Sequence, residues 1–223
     1  MNLSKLFEGQ KVVRKKIIET NGLEGQDLVQ NSILALRVEL GELANEQRSW
    51  KHWSKDRAPR TFVREDCPDC KKKGYYRGNP PKDKDKGVHG LGNHWYHCER
   101  CKGFLVIDKN PLLEEYADCI SFALELALEL GIESGAKVEE ILIPYSARKN
   151  ITKMLNQVYL SISDLEININ YHYARKNAVL SEYNGLLTNL ITLGILLGFD
   201  YEQIETAYFE KNAINLKRQE EGY

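Results

Sequence analysis

Glu39, Glu42 and Glu46 recur at intervals of four and three residues, so all three fall on one face of any helix that carries them. Like charges at that spacing destabilise a helix slightly, and a bound cation would offset the repulsion. Further along the chain, Glu115 and Asp118 stand three apart. Two facing helices, each with an acidic pair, form an oxygen-rich site suited to Mg²⁺. That ion wants octahedral oxygen ligands and keeps several waters, so a few carboxylates and substrate phosphates complete it. The plain alternative is a solvated helix face, the ordinary place for acidic residues. The neighbours argue against it. Leu36, Leu40 and Leu43 flank one group, and Tyr116, Ile120 and Phe122 flank the other, which makes both helices core elements. Glu125 and Glu129, farther down the second helix, read as solvated charges.

A second chemistry lies in the cysteines. Cys67-Pro68-Asp69-Cys70 and Cys98-Glu99-Arg100-Cys101 are two C-x-x-C pairs, each followed by a glycine, Gly74 and Gly103, that suits the tight turn of a knuckle. Four thiolates close a tetrahedral structural Zn²⁺ site, and 27 residues between the pairs cost little loop entropy. His89, His94 and His97 are alternative ligands or plain loop residues. Cys119, the fifth cysteine, sits on a core helix and reads as packing. Near the C-terminus, Lys211, Asn215 and Arg218 share a helical face that could hold phosphate oxygens, Arg as a fork and Lys as a point charge.

The elements that must position these groups are helices. Leu3, Leu6, Phe7, Gln10, Val13 and Ile17 form a helical stripe over 3–20, ended by Asn21-Gly22. A second helix is expected over about 27–50. From 54 to 110 the helical period disappears among prolines, glycines and a KDKDKG run, which predicts loops and short strands around a metal site. Pro111 opens a third helix that runs to Leu130 and stops at Gly131. Helical patterns follow over 147–176, 178–197 and 201–219. The expected fold is all-α: a helical bundle of residues 1–53 and 111–223, with a zinc-ribbon-like insertion, 54–110, between two of its helices.

Composition agrees with a globular chain: 42% hydrophobic, 28% charged, net charge −1. The charge is uneven. Residues 51–110 hold 15 Lys and Arg against 8 Asp and Glu, so an acidic body carries a basic insert. No apolar run is long enough to span a bilayer, and no basic start with a long apolar run behind it is present. A cytoplasmic protein that does not enter membranes is expected.

At this point the residues resemble a known family. Glu39 and Glu42 in the stretch Leu40-Gly41-Glu42-Leu43-Ala44-Asn45-Glu46, then Trp50-Lys51-His52-Trp53, then Glu115 and Asp118, then the C-terminal K-N-x-x-N-x-x-R-Q-x-x-G-Y pattern from Lys211 to Tyr223 are similar to the dimeric, all-α dUTP diphosphatases. These are relatives of the MazG-like pyrophosphohydrolases. The Leu6-Phe7-x-x-Gln10 stretch fits as well, and the likeness runs from Leu3 to Tyr223 apart from the insert. The resemblance implies a homodimer that hydrolyses dUTP to dUMP and pyrophosphate. It implies that Glu39, Glu42, Glu115 and Asp118 hold Mg²⁺ and that a glutamate, Glu42, orients the attacking water. Lys211, Asn215 and Arg218 would hold the phosphates, and Gln10, Trp53 and Lys55 would lie near the nucleotide. Two positions depart from the pattern: Arg14 stands where Asn or Asp is usual, and Ser121 where His is common. They leave base selectivity open, and with it a broader (deoxy)nucleoside triphosphate pyrophosphohydrolase. A nucleic-acid-binding or interaction protein on the same fold is the other alternative, through the basic insert with Lys71, Lys72, Lys73, Arg77, Tyr75, Tyr76 and Trp95.

Overall fold

The computed structural model describes residues 1–67, 75–77, 95–98, 100–102, 104–139, 150–171 and 176–222, with backbone alone at 75–77, 95–97, 171 and 176. Among these residues lie six helices and four short strands. They form two compact units: Met1–Pro59 with Leu112–Tyr223, and Arg60–Pro111.

The first unit is the helical one. α1 (Leu3–Asn21) starts where the Asn2 side chain accepts from the Lys5 N–H at 3.2 Å, and it ends at Gly22, whose φ of 63° only glycine adopts at no steric cost. It buries Leu6, Phe7, Gln10 and Val13. α2 (Val29–Gln47) buries Ile33, Leu36, Leu40 and Leu43. The sequence predicts that α2 continues to Trp50, and it stops three residues short. Arg48 takes a left-handed φ of 63° and donates its N–H to the Ala44 carbonyl, an end that side-chain periodicity does not announce. α3 (Pro111–Glu129) runs through the core, with Leu112, Tyr116, Cys119, Ile120, Leu124 and Leu126 all inside.

α4 (Ile151–Tyr171) packs along α5 (Lys176–Leu196), α1 packs on α6 (Tyr201–Glu220), and α2 lies against α4. The expected start at 147 lies outside the described residues, and α5 begins at Lys176, two residues before the expected 178. A capping box opens α6: Asp200 accepts from the Gln203 N–H at 2.8 Å, and the Gln203 side chain accepts from the Asp200 N–H at 3.0 Å. Two buried tyrosines of different helices find carbonyl acceptors. Tyr116 donates to Leu190 O and Tyr183 to Ala123 O, each at 3.0 Å, which ties α3 to α5 at two levels without stranding a hydroxyl. Gly194 gives the Tyr116 ring its room; a Cβ there would collide with it. Gly9 does the same for the α1–α6 contact, where a Cβ would come within 2.9 Å of the Phe209 ring.

The second unit holds two antiparallel sheets of two strands each among its described residues. β1 (Val63–Asp66) pairs with β4 (Val106–Lys109), and β2 (Tyr75–Arg77) with β3 (Trp95–His97). Among the described residues no helix is long and apolar enough to cross a membrane.

Candidate active site

The apolar faces of α2 and α3 join one core, and that places their acidic residues at its edge. Carboxylate oxygens of Glu39, Glu42 and Glu115 lie within 4.8 Å of one another. Asp118 is only 7% exposed, and it pairs with the Lys211 ammonium of α6. Three helices therefore converge, two with acids and one with a cation.

Such crowding has an electrostatic signature. Burial pushes the Glu39 carboxyl up to about 7, helped by the charges of Asp118, Glu42 and Glu115 and opposed by Lys211. Burial also pushes Glu115 up to about 7; Lys211 opposes this, while Asp118, Glu42 and Glu46 add to it. Burial raises Asp118 as well, against the hydrogen bond from Lys211 and the more distant charge of Arg218. The donor set fits a hard divalent cation. Three carboxylates from two helices repel one another, and a cation with oxygen preference reverses that repulsion.

The other expected residues divide. Arg218 lies exposed on α6 with Asn215 half-buried, and the Arg218 charge reaches Asp118. Gln10 is buried, and both ends of its amide are held: Nε2 donates to Glu125 at 2.9 Å, and Oε1 accepts from the Tyr208 hydroxyl at 3.1 Å. Trp53 is 67% exposed. It stands edge-on to Trp50 with centroids 5.3 Å apart, in a loop fixed by Trp50 Nε1 donating to Ala44 O at 2.8 Å and by Arg48 donating to Asp56 at 2.8 Å. An exposed indole with a lysine, Lys55, two residues on offers a base a face to stack on and a phosphate a cation. Cys119 is packing, as expected: it lies at 0% exposure inside the core, and burial pushes its thiol well up. In the second unit Cys67, Cys98 and Cys101 come together, while Cys70 lies outside the described residues.

The match to the family model for dUTPase covers residues 2–71 and 103–223. The chain belongs to the dUTPase family. Family members are nucleoside triphosphate diphosphatases that generally use a divalent metal, and a nucleotide is the substrate class. Residues 72–102, which the family model leaves out, fall inside the second unit and include Cys98 and Cys101. No match is found among curated proteins, and none among solved structures.

One expectation needs correction. Glu125 and Glu129 are not solvated charges: both pair with Arg14 of α1, and the Glu129 side chain is 6% exposed. Arg14, the departure from the family pattern, is thus an interhelical cation, matched by two acids one turn apart. Ser121, the other departure, spends its hydroxyl within the helix on the Ala117 carbonyl at 3.0 Å. Sequence reasoning also passed over Asn212, buried on α6 one turn after Tyr208. Its signal was the four-residue step from an aromatic core position. Glu46, seen on the acidic face, acts on Glu115 though it was not assigned to the site.

Proposed function

We propose that this dUTPase-family chain hydrolyses dUTP to dUMP and pyrophosphate with Mg²⁺ held by Glu39, Glu42, Glu115 and Asp118. The observation that carries the reading is the meeting of Glu39, Glu42 and Glu115 within 4.8 Å, with a lysine on Asp118 beside them. When bound, Mg²⁺ supplies charge neutralisation to the triphosphate as its anhydride breaks. Glu42, the most exposed of the three glutamates, orients the attacking water. Glu39 and Glu115, with carboxyls at about 7, lose their protons readily once a cation is near. Lys211 carries three donors and spends one on Asp118, so it can also serve a phosphate oxygen. Arg218 and Asn215 complete the phosphate-binding face, and Trp53, Lys55 and Gln10 lie toward the nucleoside. Water oxygen bonds to phosphorus, the bridging bond between the α and β phosphates breaks, and pyrophosphate leaves.

The test is a panel of nucleoside triphosphates with Mg²⁺, assayed for pyrophosphate release. dUTP as the clearly preferred substrate supports the reading. Equal turnover of several deoxynucleotides selects the broader pyrophosphohydrolase, which the engagement of Arg14 and Ser121 inside the protein favours. Release of inorganic phosphate alone overturns both. The reading includes a homodimer in the cytoplasm. The exposed Leu34 and Val38 of α2 and Leu160 and Ile167 of α4 are apolar side chains that a second copy would cover. The mass in solution tests it.

A further inference from the structure

Among its described residues, the second unit buries a cluster of sulfur. Its buried cluster among the described residues consists of Cys67, Cys98 and Cys101, with Ile107 half-buried against it. Two of the three cysteines border a strand. Cys67 directly follows β1, Cys98 directly follows β3, and Cys101 shortly precedes β4. The two sheets share no strand, and the approach of Cys67, after β1, to Cys98, after β3, brings one end of each together.

The geometry is not that of a disulfide. Cys67 Sγ and Cys98 Sγ stand 3.6 Å apart, whereas a disulfide bond is about 2.05 Å long. Two sulfurs of a tetrahedral zinc site, each about 2.3 Å from the metal, stand about 3.8 Å apart. The third sulfur joins them within 4.8 Å. The backbone folds back around the cluster: Lys102 N–H donates to Cys98 O at 2.6 Å, Phe104 N–H to Cys101 O at 2.8 Å, and Cys67 N–H to Leu105 O at 2.7 Å. To do so, Lys102 and Leu105 adopt φ of 48° and 69°, left-handed conformations that non-glycine residues rarely take. Something must hold that turn in place, and among the described residues of this unit the buried cluster is small.

We propose that Cys67, Cys98 and Cys101 bind one zinc ion as thiolates, with Cys70 as the fourth ligand by its C-x-x-C spacing, and that this ion is the core of the second unit, so that the unit folds only when metal is bound. Cys70 lies outside the described residues and enters through the sequence alone. Thiolates select zinc where carboxylates select magnesium, so this site and the acidic cluster take different ions. Cys98 and Cys101 lie in residues 72–102, outside the family match, whereas Cys67 and Cys70 lie within it, so the site takes one C-x-x-C pair from each side of that boundary.

The full chain, as purified, is measured for metal content, thiol reactivity and amide exchange. One zinc per chain is expected, with the cysteine thiols unreactive in the native protein. Replacing zinc by Co²⁺ should give the charge-transfer absorption of tetrahedral thiolate. Chelation should expose the thiols and erase exchange protection in β1 and β4 while α2, α3 and α5 keep theirs. Zn²⁺ should restore that protection and Mg²⁺ should not. Cys98→Ser and Cys101→Ser should lose zinc with the helical unit still folded. Zinc-free protein with freely reactive thiols overturns the proposal, as does a chain two hydrogens lighter with Cys67 linked to Cys98. Unchanged β1–β4 protection after chelation overturns the coupling of folding to metal. None of these readouts uses hydrolysis, so a failure here is distinct from a failure of the dUTP reading.

Discussion

Replacing Glu39 by Gln takes one negative charge out of the acidic cluster without changing its volume. In metal-free protein the change should stabilise the fold. The Glu39 carboxyl stands at about 7 against an ordinary 4.5, so its ionised form is disfavoured in the folded state. The sign follows from linkage. Protonated Glu39 contributes its full share of stability below pH 4.5, and that share is lost as pH rises through 7. Were the side chain fully buried the loss would be about 3 kcal/mol. Glu39 is only partly buried, and screening reduces the loss to roughly 1–2 kcal/mol. For a chain of this size that is about 2–8 °C in Tm. Thermal melting in chelator at pH 8 should therefore put Glu39→Gln above wild type, and at pH 4.5 the two should coincide. With Mg²⁺ the order reverses: wild type gains stability by mass action and the variant gains little. Turnover of dUTP by the variant should fall about 10²- to 10⁴-fold. A variant that melts below wild type at pH 8 in chelator refutes the crowding argument. Near-wild-type turnover refutes the metal assignment.

Asp118→Asn should abolish metal-dependent turnover to a similar degree, with helical content unchanged by circular dichroism. Arg218→Ala should raise KM for the triphosphate by roughly 10- to 100-fold, since a charge-assisted phosphate contact is worth ~1.5–3 kcal/mol; the residue is exposed, so a sharp fall in Tm with unchanged KM would make it structural. Arg14→Met should cost about 1–3 kcal/mol in urea unfolding, below the cost of breaking a fully buried pair because Arg14 keeps 22% exposure. Adding Glu129→Gln to it should recover part of the loss, and no recovery would mean that the pair is not what is being broken. Trp53→Ala, at a 67% exposed position, should leave Tm within about 1 °C and weaken nucleotide binding; equal KM would remove Trp53 from the nucleotide site.

What the sequence shows of this protein follows from the range over which each signal acts. The helical stripe of α1 and the apolar face of α2 are local, and Ile33, Leu36, Leu40 and Leu43 sit buried where a period of 3.6 puts them. The acidic pairs are local as well. Their meeting is not, because no spacing within α2 says which face of α3 it will touch; the resemblance to a family supplied that step. Arg14 shows the limit from the other side. By itself it is an exposed-looking arginine on a surface helix, and Glu125 and Glu129 are two ordinary acids. Only the packing of α1 near α3 turns three solvated charges into one interhelical triad, and a family pattern that expects Asn or Asp at position 14 gives no hint of it. The same holds for Lys211, which the sequence presents as a phosphate ligand and the structure places on Asp118. The two roles are compatible for a group with three donors, but they change what its removal does. Without Lys211 the cluster of Glu39, Glu115 and Asp118 loses the cation that keeps those carboxyls from rising further. Deleting the end of α6 therefore disturbs the acidic site as well as substrate binding. With Asn212 buried against α1, the deletion also opens the α1–α6 contact, so the point substitution Arg218→Ala is the cleaner probe of phosphate binding.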